Sequence, residues 1–308
     1  MRRKLTVGSR GSRLALLQTE SVVARIREAN PHLEVSLMEI VTTGDRSHRS
    51  RLDSIGTAIF VKELEEALLD GRIDLAVHSL KDAPTEVPLG LCLLAVTERL
   101  DSRDALVAKA RLNELTAGSK IGTSSLRRTV QLMSYRPDLL ARPIRGNIDT
   151  RLRKVLSGEF DGVIVAAAAL LRLGWEERIT EYLPLEHFLP AVGQGALVIE
   201  ARLSDKKIAG IVSPLNHLPT WQSVTAERAF LRAVGGGCRA PVAALGTING
   251  NTLKLEGMVA SISGRKVLRA TAEGSATSAE EIGAKLAERM LRMGAVKIIA
   301  EARSYENG

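Results

Sequence analysis

Cysteine and aromatic residues are scarce in this chain: there are two Cys, and Phe, Trp and Tyr together make up 3% of 308 residues. Two cysteines give no disulfide framework, and neither stands at a metal-ligand spacing. So few rings leave little to stack single-stranded nucleic acid on. Long apolar runs are lacking too. The longest, Val163 to Leu171, has nine residues, against roughly 20 for a bilayer-spanning helix. The start, MRRKLTVGSRGSR, has the charges of a signal peptide without the apolar segment that would follow, so a cytoplasmic protein is expected. The five histidines form no HExxH pair, and the chain has no P-loop, no GxGxxG after a strand and no GxSxG elbow. Nucleotide and serine-hydrolase readings therefore lack support, and no metal is expected.

Positive charge is plentiful. Lys and Arg number 43 against 35 Asp and Glu, a net charge of +8, so an anionic partner is expected. The arginines fall singly or in pairs within Gly/Ser/Thr turns, with no basic arm or helical stripe. That distribution suits small carboxylates or phosphates held by guanidinium forks.

With 45% hydrophobic and 25% charged residues, the chain has room for two or three globular domains. Short apolar runs alternate with amphipathic stretches. Strands are expected at Lys4 to Val7, Glu34 to Val41, Ile73 to Val77 and Leu91 to Thr97. Helices are expected after Ser12 and over Phe60 to Asp70, with a polar, basic, mobile loop over Thr42 to Thr57. The pattern restarts with strands at Asp104 to Ala108, Lys120 to Gly122, Ala141 to Ile144, Gly162 to Ala166 and Leu197 to Ala201. This predicts two α/β domains with parallel sheets, joined by crossing segments around a cleft. After about Leu218 come a helix over Trp221 to Val234, strands near Val242, Leu253 and Val267, and a helix from Ala279 to about Met293. That order predicts a small C-terminal α+β domain.

Ligands of open α/β sheets sit at the carboxyl ends of strands. The run IDLAVHSLKDAP, Ile73 to Pro84, delivers Lys81 and Asp82 to such an end. One carboxylate among many cations suggests an anionic ligand whose reaction passes through positive charge. Taken alone, the solvated turn before Pro84 is the stronger reading. Gly122-Thr123-Ser124-Ser125-Leu126-Arg127-Arg128 offers free helix-start N–H groups, hydroxyls and two guanidiniums, an anion site or an ordinary helix cap. Arg145-Gly146-Asn147-Ile148-Asp149-Thr150-Arg151 repeats the logic. Arg10 with Ser12 is a third candidate, and Arg172 a weaker one. The turn Ala191-Val192-Gly193-Gln194-Gly195 precedes the last strand of this region. His78 reads as a hydrogen-bonded structural residue and Cys92, in LCLLAV, as an inert buried thiol. Cys238, in VGGGCRAP, is uncovered by three glycines, and Arg239 favours its thiolate. Its functional options are a covalent nucleophile or a permanent attachment point, and an exposed bystander is the weaker reading.

Seven stretches, FVKELEEALL (60–69), DLAVHSLKDAP (74–84), GTSSLRR (122–128), RGNIDTRL (145–152), LPAVGQGAL (189–197), TAERAFL (225–231) and GGCRAP (236–241), follow one another in order. With them the chain resembles the porphobilinogen deaminase (hydroxymethylbilane synthase) family nearly end to end. The resemblance implies two periplasmic-binding-protein-like α/β domains, residues 1–96 with 198–216 and residues 97–197, plus a C-terminal domain over 217–308. It implies a transferase that joins four porphobilinogen molecules head to tail into hydroxymethylbilane, releasing ammonia, on the route to haem. Such enzymes carry a dipyrromethane cofactor on the cysteine matching Cys238. Asp82 matches the catalytic aspartate. Lys81, Thr123, Ser124, Ser125, Arg127, Arg128 and Arg151 match cofactor positions. Arg10, Ser12, Arg145, Arg151, Arg172 and Gln194 match substrate positions. A monomer without nucleic-acid or membrane partners is implied. Gly56-Thr57-Ala58-Ile59-Phe60 lacks a lysine that the family usually has in this loop, and Arg13 stands where relatives often have proline. The competing classes are a non-catalytic polycarboxylate-binding protein, which needs neither Asp82 nor a reactive thiol, and a nucleic-acid binder with steep salt dependence.

Overall fold

The computed structural model describes residues 4–41, 61–235 and 241–307. The Thr42 to Thr57 loop, the Gly56 to Phe60 stretch and Cys238 lie outside them. The chain forms two units, residues 1–100 with 196–221 and residues 101–195 with 222–308. The first opens with β1 (Lys4–Arg10), α1 (Arg13–Ala29), β2 (Glu34–Ile40), α2 (Lys62–Leu69), β3 (Leu75–Ser79) and β4 (Leu91–Val96). The second contains β5 (Asp104–Ala108), β6 (Lys120–Gly122), α3 (Leu126–Tyr135), β7 (Leu140–Arg142), α4 (Ile148–Leu156), β8 (Gly162–Ala166), α5 (Ala167–Arg172) and β9 (Glu181–Tyr182). The chain then returns to the first unit with β10 (Leu197–Arg202) and α6 (Lys206–Val212). It ends with α7 (Leu218–Val234), β11 (Val242–Asn249), β12 (Thr252–Ala260), β13 (Val267–Ser275), α8 (Ala279–Met290) and α9 (Val296–Asn307).

In the first unit the strand order is β2-β1-β3-β10-β4. Alternate side chains leave β3 on opposite faces. Leu75 and Val77 join Val22 and Ile26 of α1 and Ile208 of α6 on one side. Ala76 meets Leu64 and Leu68 of α2 on the other. Strand β3 begins two residues later than the apolar run suggests, because Ile73 N–H still donates to the Ala67 carbonyl at the end of α2. Asp74 is tied to Thr6, its N–H donating to Thr6 O and its carboxylate accepting from Thr6 N–H, each at 2.8 Å. The strand therefore runs on through His78 to Ser79.

The second unit repeats the pattern as β7-β6-β8-β5-β9, with α4 and α5 packed on one face and α3 on the other. Neither sheet is wholly parallel, as the alternation had suggested. Strands β5 and β10 run antiparallel to β8 and β3, because each is laid down by chain arriving from the other unit rather than by a βαβ crossover. The antiparallel sheet β11-β12-β13 packs one face against α7, α8 and α9 and the other against Val130 of α3 and Leu189. Helices α7 and α8 meet so closely that a Cβ on Gly283 would stand 2.3 Å from the Ala226 carbonyl oxygen. The helix expected from Ala279 to about Met293 is α8, which runs to Met290. Gly294, at φ 103° just beyond it, breaks the helical path in the manner of a left-handed cap before α9 begins.

Candidate active site

In the first unit, β1 and β3 are parallel neighbours, so their carboxyl ends deliver Arg10 and the Lys81–Asp82 pair to the same edge. Ser12 caps α1, its hydroxyl accepting from Ala15 N–H at 3.3 Å. After β3, one 3-10 turn, Leu80–Asp82, carries Lys81 and Asp82 half-buried. That turn is anchored three times. His78 Nε2 meets Glu200 Oε2 of β10 at 2.9 Å, both side chains buried. The amide nitrogen of Gln18 donates to Ser79 Oγ at 2.9 Å, and Leu80 N–H donates to Ala196 O at 3.0 Å. Among the described residues, no hydrogen bond or ion pair engages the Asp82 carboxylate. The reading of His78 as hydrogen-bonded and structural matches its position. Cys92, expected buried, is half-buried on β4. Burial, then the Glu200 charge, raises its thiol above the usual value, so it stays protonated and inert at neutral pH.

In the second unit, the carboxyl ends of β7, β6 and β8 carry the arginine turns. After β6, Thr123 N–H donates to Arg142 O at 2.9 Å, and the Thr123 hydroxyl accepts from Ser125 N–H at 3.2 Å. Ser124 Oγ donates to Ile144 O at 2.6 Å. Ser125 occupies the cap position of α3 without a side-chain cap bond. Arg145 lies exposed in the turn before α4, which Asn147 caps by accepting from Thr150 N–H at 3.0 Å.

Arg127 and Arg128 are both buried, and both grip Asp104 at the start of β5. Arg127 Nη1 donates to Asp104 Oδ2 at 2.8 Å and to Leu189 O at 2.7 Å. Arg128 Nη2 donates to Asp104 Oδ1 at 2.8 Å. Burial alone would raise the fully buried Asp104 carboxyl. The two guanidiniums overcome it and hold the group well below the ordinary carboxylate range. Gln194 is committed here as well, with Nε2 donating to Ser102 O and Asp104 Oδ1, each at 2.8 Å. Arg151 Nε donates to Gly146 O at 2.9 Å, and Arg172 Nη2 donates to Gly195 O at 2.7 Å. Burial pushes the Arg172 guanidinium down to about 10, and burial with the Arg128 charge lowers Arg151. Among the described residues, Asp104 is the one carboxylate paired with any of these four arginines. The group keeps an excess of positive charge.

Sequence reasoning missed Asp104, Glu200 and Glu227. Each is a charged residue inside an apolar or helical stretch, with partners remote in sequence.

The family model "Porphobilinogen deaminase, dipyromethane cofactor binding domain" matches residues 5–210, and "Porphobilinogen deaminase, C-terminal domain" matches residues 221–292. A porphobilinogen deaminase of Pelobacter propionicus is 47% identical over 99% of this chain and 99% of its own. One from Thermus thermophilus is 47% identical over 98% of this chain and 100% of its own. The chain belongs to the porphobilinogen deaminase family. This makes it a transferase of tetrapyrrole biosynthesis that polymerises porphobilinogen with a dipyrromethane cofactor, and a non-catalytic binding protein is not favoured. Among solved structures, the methionine-binding protein MetQ shares 14% identity and a TM-score of 0.44, over 72% of this chain and 91% of that one. The residues present fit polycarboxylate pyrroles: among the described residues, the partly desolvated cations Arg151 and Arg172 hydrogen-bond to neutral carbonyls. Carboxylate side chains would give them charged partners.

Proposed function

We propose that this chain joins four porphobilinogen molecules head to tail into hydroxymethylbilane, with Asp82 as the catalytic carboxylate and Cys238 as the thioether anchor of the dipyrromethane. The carboxylate of Asp82, unengaged among the described residues and at a strand end otherwise furnished with Arg10 and Lys81, carries the reading. When bound, the dipyrromethane supplies the free pyrrole carbon on which the chain grows. The aminomethyl group of the incoming substrate, protonated as an ammonium, leaves as ammonia when its C–N bond breaks, and the positive charge stays on that substrate. Asp82 accepts the pyrrole N–H hydrogen bond and stabilises this developing charge. The proton displaced when the new C–C bond forms can pass to the same carboxylate.

The anionic side chains of cofactor and substrate account for the rest of the set. Lys81, Thr123, Ser124, Ser125, Arg127, Arg128 and Arg151 belong to the cofactor. Arg10, Ser12, Arg145 and Arg172 belong to substrate and growing chain, with Arg151 serving both. Asp104 cancels one of the two charges of Arg127 and Arg128, which leaves one for a ligand carboxylate. Gln194 acts from behind, through Asp104 and Arg128. The same reading makes the protein a cytoplasmic monomer. No helix among the described residues is long and apolar enough to cross a membrane.

The test is intact mass. The purified protein is expected to exceed its sequence mass by two linked pyrrole units, and Cys238→Ser to remove the excess. An active preparation whose mass equals the bare sequence would sink the assignment of Cys238.

A further inference from the structure

Glu227 stands in the middle of α7, a fully buried carboxylate outside the set just described. Burying a charge is costly unless hydrogen bonds replace its hydration. Two backbone N–H groups bond to it. Oε1 accepts from Gly246 N–H of β11 at 2.8 Å, and Oε2 accepts from Gly193 N–H at 2.7 Å. Gly193 belongs to the turn Ala191 to Gly195, closed by Gln194 N–H donating to Ala191 O at 3.0 Å. Gly193 and Gly195 take φ of 72° and 93°, left-handed values that favour glycine.

Three successive residues of this turn each hold a different side chain or pair of side chains. Gly193 N–H is fixed on Glu227. The Gln194 amide bridges Asp104 and Arg128, its Oε1 accepting from Arg128 Nη2 at 3.4 Å. The Gly195 carbonyl holds the Arg172 guanidinium. A movement of the first is passed to the other two within two residues of chain.

We infer that Glu227 is a positioning residue for carboxylate binding: by fixing Gly193 it sets the turn that orients Arg128 and Arg172. This rests on the reading of Arg172 as a substrate-chain carboxylate partner. Misplacing a binding group by about 1 Å can cost a hundredfold in rate, so the anchor of the turn bears on affinity without touching the ligand.

Glu227→Gln keeps the shape but sets an NH2 group against one of the two backbone N–H donors. In the cofactor-loaded enzyme, amide exchange of the 191–196 segment should quicken, a readout independent of turnover. KM for porphobilinogen should rise by roughly tenfold, the size of one lost charge-assisted hydrogen bond, and enzyme-bound partial chains should accumulate. Arg172→Leu alone should stall elongation. Adding Glu227→Gln to Arg172→Leu should then raise KM by less than Glu227→Gln does alone, because part of its effect runs through Arg172. If Glu227→Gln does not fold, Glu227→Asp keeps the charge, draws the anchor back by one methylene and gives the same readouts. Unchanged exchange at 191–196, or effects on KM that multiply in the double variant, would overturn the inference. Normal elongation by Arg172→Leu would instead overturn the reading of Arg172.

Discussion

Asp82→Asn is expected to lower turnover by roughly a hundredfold to a thousandfold, equivalent to about 2.7–4 kcal/mol of transition-state stabilisation, while leaving cofactor loading and the melting curve unchanged. The asparagine retains the size of the side chain and removes the charge. The carboxylate is half-buried and engages no partner among the described residues, so its removal strands no buried cation. The turn beneath it is fixed by His78, Ser79 and Leu80, none of which the substitution touches. An ordinary surface turn residue would change stability by no more than about 0.5 kcal/mol and leave the rate alone. Steady-state formation of hydroxymethylbilane by cofactor-loaded Asp82→Asn decides the matter. A rate within a few-fold of the unsubstituted enzyme would falsify the catalytic role.

Asp104→Asn should do the reverse, striking stability first. Asp104 is fully buried between two buried guanidiniums, and removing one partner of such a group typically costs about 3–5 kcal/mol because the remaining charges are left uncompensated. The effect should depend on pH in a defined sense. The folded state holds the Asp104 carboxyl below its ordinary value. Its contribution is thus complete above an unfolded-state pKa of about 3.9 and is lost as pH falls towards the folded-state value. Urea unfolding of both proteins at pH 7 and near pH 3 would show it. The gap between them should be wide at neutral pH and smaller near pH 3, where the loss has begun. A gap under about 1 kcal/mol at pH 7, or one that does not shrink in acid, would contradict this account of the cluster.

The strand ends that present the site were legible in the sequence because short apolar runs and Gly/Ser/Thr turns mark them locally. Lys120 to Gly122 and Gly162 to Ala166 were placed to the residue. Strand direction was not legible, since an apolar run reads alike in either sense, and β5 and β10 proved antiparallel. Nor was it legible which cations are already matched. Asp104 lies 23 and 24 residues from Arg127 and Arg128, and 90 from Gln194. Its position before ALVA looks like nothing more than the start of a strand. Counting guanidiniums along the chain overstated the charge left for a ligand. That Arg151 and Arg172 meet no carboxylate among the described residues emerged only with the folded geometry.

The seam by which β10 enters the first sheet bears on how the chain is made. That strand lies between β3 and β4, and the bond from Leu197 N–H to Thr97 Oγ1 spans 100 residues. A ribosome that has released residues 1–100 has therefore supplied four strands and left a vacant lane between β3 and β4. Residues 101–195, whose five strands are contiguous in sequence, can pair as soon as they emerge. The earlier-synthesised sheet is thus the later one to close, and during that interval β3 and β4 carry unpaired edges of the kind that invite association between chains.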